Sequence, residues 1–174
     1  MLAPGLCIVF CGTAAGTESA RRGCYYAHPQ NKFWRVLHEV GLTPQPQPLD
    51  CSQFALLPQF GIGLTDIAKT VSGMDKELPP EALNRAACEA MAQKIRACAP
   101  AILAFTSLTA GRRYFASLTV GRRNPARDAG FGEQRETIGA TRIWLLPSPS
   151  PAANWNWKAN ATWWSALAVA VGGR

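Results

Sequence analysis

Short apolar runs alternate with longer amphipathic stretches along the chain. Residues 6–11 (LCIVFC) form a continuous apolar run rich in strand formers that stops at Gly12, the pattern of a buried parallel strand feeding a loop. In NKFWRVLHEVGL, Phe33, Trp34, Leu37 and Val40 share one helical face, and Gly41 supplies the stop. His38 falls on the surface side of that helix. The proline-broken TPQPQPLD then leads to residues 60–70 (FGIGLTDIAKT), which predict a second short strand presenting Thr65 and Asp66 at its end.

Strong helix formers between Pro80 and Pro100 predict one long helix. Residues 101–106 (AILAFT) give a third strand, and SLTAGRRYFASL a helix N-capped near Ser107 despite Gly111. The polar GRRNPARDAGFGEQRETIG is expected to be a surface loop. Residues 141–147 (TRIWLLP) make the fourth strand, PSPSPAAN a late loop, and WKANATWWSALAVAV the closing helix, with Trp163 and Trp164 mainly in the core. Strands alternating with helices predict an α/β fold, a three-layer α/β/α sandwich around a short, mainly parallel four-stranded sheet. In such sheets ligands bind beyond the carboxyl ends of the strands. That rule gathers residues 12–16, Thr65, Asp66 and the late loop into one cleft.

At 174 residues, 48% of them hydrophobic and 17% charged, the chain predicts a single packed domain over residues 1–174 and excludes disorder. Eighteen Lys and Arg against eleven Asp and Glu, a formal +7, favour a polyanionic partner. The doublets Arg21-Arg22, Arg112-Arg113 and Arg122-Arg123 each lie beside a loop or glycine, either as phosphate anchors or as solvated faces. Six cysteines show no C-x-x-C pair and no zinc spacing, so neither a metal nor an organic cofactor is implied. With no signal-peptide pattern ahead of them, they suggest a reducing, cytoplasmic setting. SALAVAV is too short for a membrane span, and GTAAG lacks the G-x-G-x-x-G of a dinucleotide site.

The chemistry concentrates in VFCGTAAGTESARRGCYYAHPQNKFW, where a strand end, glycines, tyrosines and arginines lie together. The order of a G-x-x-x-G loop, the segment YYAHPQNKFW, a G-x-G-x-T strand end and a late P-S-x-S loop resembles the uracil-DNA glycosylase superfamily. The likeness covers nearly the whole chain. It is nearest the mismatch-specific uracil/thymine branch, with features of the hypoxanthine-DNA glycosylase branch.

The resemblance implies a monomeric DNA base-excision enzyme, acting on uracil-containing single- or double-stranded DNA without a cofactor. It aligns Gly12, Thr13, Ala14 and Gly16 with the pocket loop and puts Ala14 where the mismatch-specific branch has a water-positioning asparagine. Tyr26 aligns with the aromatic on which the extruded base stacks, unless it is a packing tyrosine; Tyr25 is read as structural. With Ala14 unable to direct water, Asp66 and Asn31 are the catalytic candidates. An Asp can polarise water and offset oxocarbenium charge, or merely cap a turn. Asn31 aligns with an asparagine implicated in catalysis in the hypoxanthine branch, and equally suits a helix cap. His28 either faces the substrate or is a hydrogen-bonded structural histidine. Ser148, Pro149, Ser150 and Pro151 are candidate DNA contacts or a rigid linker, and Arg112 a candidate phosphate contact; Trp155 and Trp157 stay open as DNA contacts. The rival from another class is a non-catalytic binder of damaged or single-stranded DNA.

Overall fold

The first apolar run becomes β1 (Ile8–Gly12), the second of five strands across the sheet of the computed structural model, which describes residues 1–118, 126 and 128–172, without the side chains of 154 and 155. β2 (Ile62–Asp66), β3 (Ile102–Phe105), β4 (Gly132–Ile138) and β5 (Thr141–Leu145) complete it in the order β2-β1-β3-β5-β4. The pairs β1–β2, β1–β3 and β3–β5 are parallel, and β4 runs antiparallel to β5. The result is a mixed α/β fold with a central sheet flanked by helices.

Strand alternation sends successive side chains to opposite faces, and each face has its own apolar cluster. Val9, Cys11, Leu103, Phe105, Ile143 and Leu145 pack against α3 (Arg85–Cys98) and α4 (Leu108–Leu118). Ile8, Phe10, Leu64, Ile102, Ala104 and Trp144 meet α2 (Phe33–Glu39), the 3-10 helix Cys51–Phe60 and α5 (Trp157–Gly172). Fully burying a side chain such as Phe10 or Ile102 contributes roughly 1.5–3 kcal/mol, so these runs fix the sheet's register. Gly111, unpromising for a helix, is required by packing: a Cβ there would lie 2.6 Å from Leu145 Cγ, so glycine lets α4 close onto β5.

Five strands, rather than the four expected, follow from β4, whose sequence GEQRETI lies in the stretch expected to be a surface loop. Only Gly132 and Ile138 are buried in it; the charged residues between them suit an edge strand, where one ladder of hydrogen bonds suffices and charge discourages further pairing. The long helix expected after Pro80 is also split. A 3-10 helix spans Pro80–Leu83, and Asn84, whose side chain accepts from the Ala87 N–H, caps α3 one residue later. Trp163, expected in the core, is 38% exposed and tilts against Phe131, whereas Trp164 is fully buried on Phe10. His38 is half-buried rather than superficial. Arg122 and Arg123 lie outside the described residues.

Candidate active site

The parallel register brings Gly12 at the end of β1 level with Asp66 at the end of β2. Glycine is needed here, because a Cβ on residue 12 would lie 2.6 Å from Asp66 Oδ1. Two backbone bonds continue the pairing past the strands, from Ile67 N–H to Gly12 O at 3.0 Å and from Ala68 N–H to Thr13 O at 2.9 Å. The carboxylate is therefore held rigidly at a strand end, and the Asp66 side chain is only 9% exposed. Burial raises its pKa above the usual Asp range, against the opposing pull of the Lys69 ammonium, whose Nζ lies 3.4 Å from Oδ2.

Tyr26 closes the other side of this cluster. Its hydroxyl is 3.1 Å from Thr106 Oγ1, at the residue that follows β3, and Thr106 is in turn tied to β1 by its N–H, 3.0 Å from Cys11 O. One face of the Tyr26 ring stacks on Phe33, with centroids 3.8 Å apart and planes 15° from parallel. Its backbone is left-handed, φ +52°, uncommon for a bulky residue and enforced by the anchors on either side. Burial, and next to it the nearby Asp66 charge, push its hydroxyl well above the usual phenol range, so it stays neutral. Cys24, two residues earlier, fixes the loop from below: its Sγ is 2.7 Å from that of Cys51, and burial together with this contact pushes the thiol up to about 11.

Asn31 occupies a second subsite. Its Oδ1 accepts from the Phe33 N–H at 3.0 Å, an Asx turn that leads into α2, whose N-cap is Lys32, and steadies the ring behind Tyr26. It lines an open groove of about 510 Å³ with Pro29, Gln30, Lys32, Arg35 and Pro151. The late loop is fastened here through the Lys32 N–H, which donates to Pro149 O at 3.0 Å. Pro149 is itself buried, and Ser148 Oγ accepts from the Ser150 N–H at 3.2 Å, a local turn. Asn31 and Asp66 share no hydrogen bond among the described residues; the Tyr26–Phe33 stack is the link between their subsites.

The other expected residues take varied places. Thr13 is buried, and Ala14 packs half-buried against the apolar cluster. Gly16 is the N-cap of α1 (Thr17–Arg22). His28 is exposed, its Nδ1 accepting from the Gln30 N–H at 3.2 Å. Arg112 spends its guanidinium on Ala129 O, at 3.1 and 3.3 Å, pinning the segment that enters β4. Arg21 pairs with Glu18, and Arg22 donates to Ala27 O at 3.0 Å, which braces the Tyr26 loop.

A rigid carboxylate at a strand end with an aromatic ring beside it, and a separate groove lined in part by the Gln30 and Asn31 amides, suit recognition and cleavage of a planar heterocycle. A family model described as the Uracil DNA glycosylase superfamily matches residues 2–169. The chain belongs to the uracil DNA glycosylase superfamily. Membership in that superfamily implies a DNA glycosylase, a hydrolase of base-excision repair, with DNA as a plausible partner. Among the described residues, no helix is long and apolar enough to cross a membrane.

Three residues of the candidate site were not legible as such in the sequence. Thr106 carries a signal that was available, since it ends the third strand just as Asp66 ends the second. Phe33 was assigned to the core and serves as the backing of Tyr26 as well. Lys69 stands three residues after Asp66, a spacing the sequence shows, but its second partner Tyr25 meets it only in the folded chain.

Proposed function

We propose that this protein is a monofunctional DNA glycosylase that hydrolyses the N-glycosidic bond of deaminated bases, uracil first, with hypoxanthine and xanthine within its range. It acts as a single-domain monomer in the cytoplasm, on single- or double-stranded DNA. Within the superfamily it stands near the mismatch-specific branch, with the late loop of the hypoxanthine branch. The observation that carries this reading is the buried Asp66 carboxylate level with Gly12, close to a Tyr26 ring stacked on Phe33.

In this mechanism the flipped base stacks on the face of Tyr26 opposite Phe33, a contact worth roughly 1–3 kcal/mol. The backbone of Gly12, Thr13, Ala14 and Gly16 borders the base, with His28 at the pocket's rim. Ser148, Ser150 and Pro151 press on the DNA strand from a loop anchored through Pro149, and Arg112 contributes to the phosphate contact besides bracing Ala129 O. The C1′–N bond breaks with its electron pair leaving on the base, and the Asp66 carboxylate offsets the cationic sugar. A water aligned by Asp66, with the Asn31 amide at the groove wall, bonds C1′ and gives up a proton that ends on the departing base. Lys69 is the nearest amine. Burial lowers its pKa, but Asp66 and Tyr25 outweigh that and raise it, so it stays an ammonium and not a Schiff-base nucleophile.

The test is single-turnover excision from oligonucleotides carrying uracil, hypoxanthine, xanthine or thymine, single- and double-stranded, read by alkali cleavage. Uracil release by the wild type and a loss of more than about tenfold in Asp66→Asn are expected. Binding of uracil DNA with every lesion left intact would instead establish the non-catalytic binder.

A further inference from the structure

Asp66 would be an unsteady catalyst if burial alone set its state, since a desolvated carboxylate takes up a proton and neutralises. Lys69 is the counterweight. The chain between them has no slack: Ile67 and Ala68 are buried, and both N–H groups are committed to the β1 loop. Lys69 therefore emerges at a fixed point three residues on, its Nζ 3.4 Å from Asp66 Oδ2 and 3.2 Å from Tyr25 Oη. With 3.2 Å to the oxygen against 5.5 Å to the ring centroid, the ammonium sits off the hydroxyl edge of Tyr25 rather than over its face. Tyr25 is itself seated against Phe54 and Tyr26, with centroids 6.0 and 6.5 Å away. One side chain thus joins the carboxylate to the loop that carries the stacking platform.

We propose that Lys69, bridging Asp66 and Tyr25, is a positioning residue that holds the Asp66 carboxylate in place for the water-directing step. This rests on the role given to Asp66 above. Lys69 does not act as the acid, base or nucleophile; it works through Asp66. The other groups facing the carboxylate are few. The Met1 amino group also favours its charge, while the Tyr26 hydroxyl and Cys11 thiol, both pushed up chiefly by burial, remain neutral. Lys69 is the nearest positive charge and the one bonded to Asp66 among the described residues.

The sign of the effect is fixed. Asp66 must be ionised to align water, so excision is lost as pH falls through its raised midpoint. Removing Lys69 removes the leading influence that lowers that midpoint, and the acid limb moves to higher pH. The experiment compares the wild type, Lys69→Met, Lys69→Gln, Lys69→Arg and Asp66→Asn in two measurements. Single-turnover excision of uracil across pH should show both neutral variants slowed, most strongly on the acid side of the Asp66 midpoint, where the ionised fraction follows that midpoint directly. Their acid limbs should be displaced upward and half-saturating DNA changed less than about twofold, with Lys69→Arg restoring most of the rate. Carboxyl-carbon NMR on DNA-free protein, with the Asp66 signal identified by its loss in Asp66→Asn, should show the same upward move in the neutral variants and its reversal in Lys69→Arg.

An unmoved Asp66 midpoint in the neutral variants, or a rate loss matched by an equal loss of DNA binding, overturns the inference. If Asp66→Asn abolishes excision while the neutral Lys69 variants keep the wild-type pH profile, Lys69 alone is at fault. If Asp66→Asn excises normally, it is the catalytic reading of Asp66 that fails.

Discussion

The two edge strands of the sheet differ in kind. Every residue of β2 is buried, while β4 buries only its two ends. The outer edge of β2 is covered by the start of the chain, with Leu64 N–H donating to Met1 O at 3.0 Å and the Met1 amino group to Leu64 O at 2.7 Å. The charges on β4 stay in water, where the Glu133–Arg142 pair, 3.4 Å apart and about two-fifths exposed on each side, is screened. A carboxylate on β2 is desolvated, immobile and strongly coupled to one ammonium; a carboxylate on β4 is none of these. Chemistry belongs on the covered edge because electrostatic effects grow as water is excluded.

That contrast can be broken most severely at Gly12. Gly12→Ala drives a methyl into the Asp66 carboxylate, and single-turnover excision of uracil should fall on the order of a hundredfold, the scale of a misplaced catalytic group. Crystallography of the variant should show Asp66 displaced. Asp66→Asn keeps the shape and removes the charge, with the loss of more than about tenfold already given. A smaller effect comes from Tyr26→Phe, which keeps the stacking ring and loses only the hydroxyl bond to Thr106. Thermal denaturation should report a loss of about 1 kcal/mol, with excision slowed only a few-fold. At the exposed edge, Glu133→Gln should change stability by less than about 1 kcal/mol and leave excision unaltered. A large effect there would mean that β4 takes part in the site.

Acid stability sharpens the same comparison. Asp66 has a folded-state pKa above its unfolded value, so its charge costs stability at neutral pH, and that cost is relieved as pH falls through the folded pKa toward the unfolded one. A half-buried carboxylate such as Glu18, held low by the hydrogen bond to Arg21, acts in the opposite sense. Denaturant titrations of wild type and Asp66→Asn should converge as pH drops through the Asp66 midpoint. A gap that stays constant with pH would show that Asp66 does not titrate within the folded state.

How much of this could be read from the sequence depended on whether burial and backbone chemistry were written locally. The strands at the sheet's centre were legible because a strand buried on both faces must be apolar throughout, as in residues 8–11 and 102–105. β4 was not, because an edge strand in water needs no such run and reads like a loop. The same division holds at the site. Asp66 and Tyr26 stood out as chemistry at a strand end and beside a glycine-rich loop. The Asx-turn bond of Asn31 to Phe33 and the commitment of Arg112 to Ala129 became visible only with the partners in place.

The sequence by itself determined the alternation of buried strands and helices, the glycine loop, the segment YYAHPQNKFW that carries the superfamily likeness, and an Asp at the end of its second strand. Periodicity and backbone preference act over a few residues, and a single chain records them directly. Tertiary structure alone decided that Asp66 lies level with Gly12, that Phe33 backs Tyr26, and that Lys69 spans Asp66 and Tyr25. Those distances depend on parallel register and on loops separated by tens of residues, and the electrostatics that follow depend on how completely the packed chain excludes water.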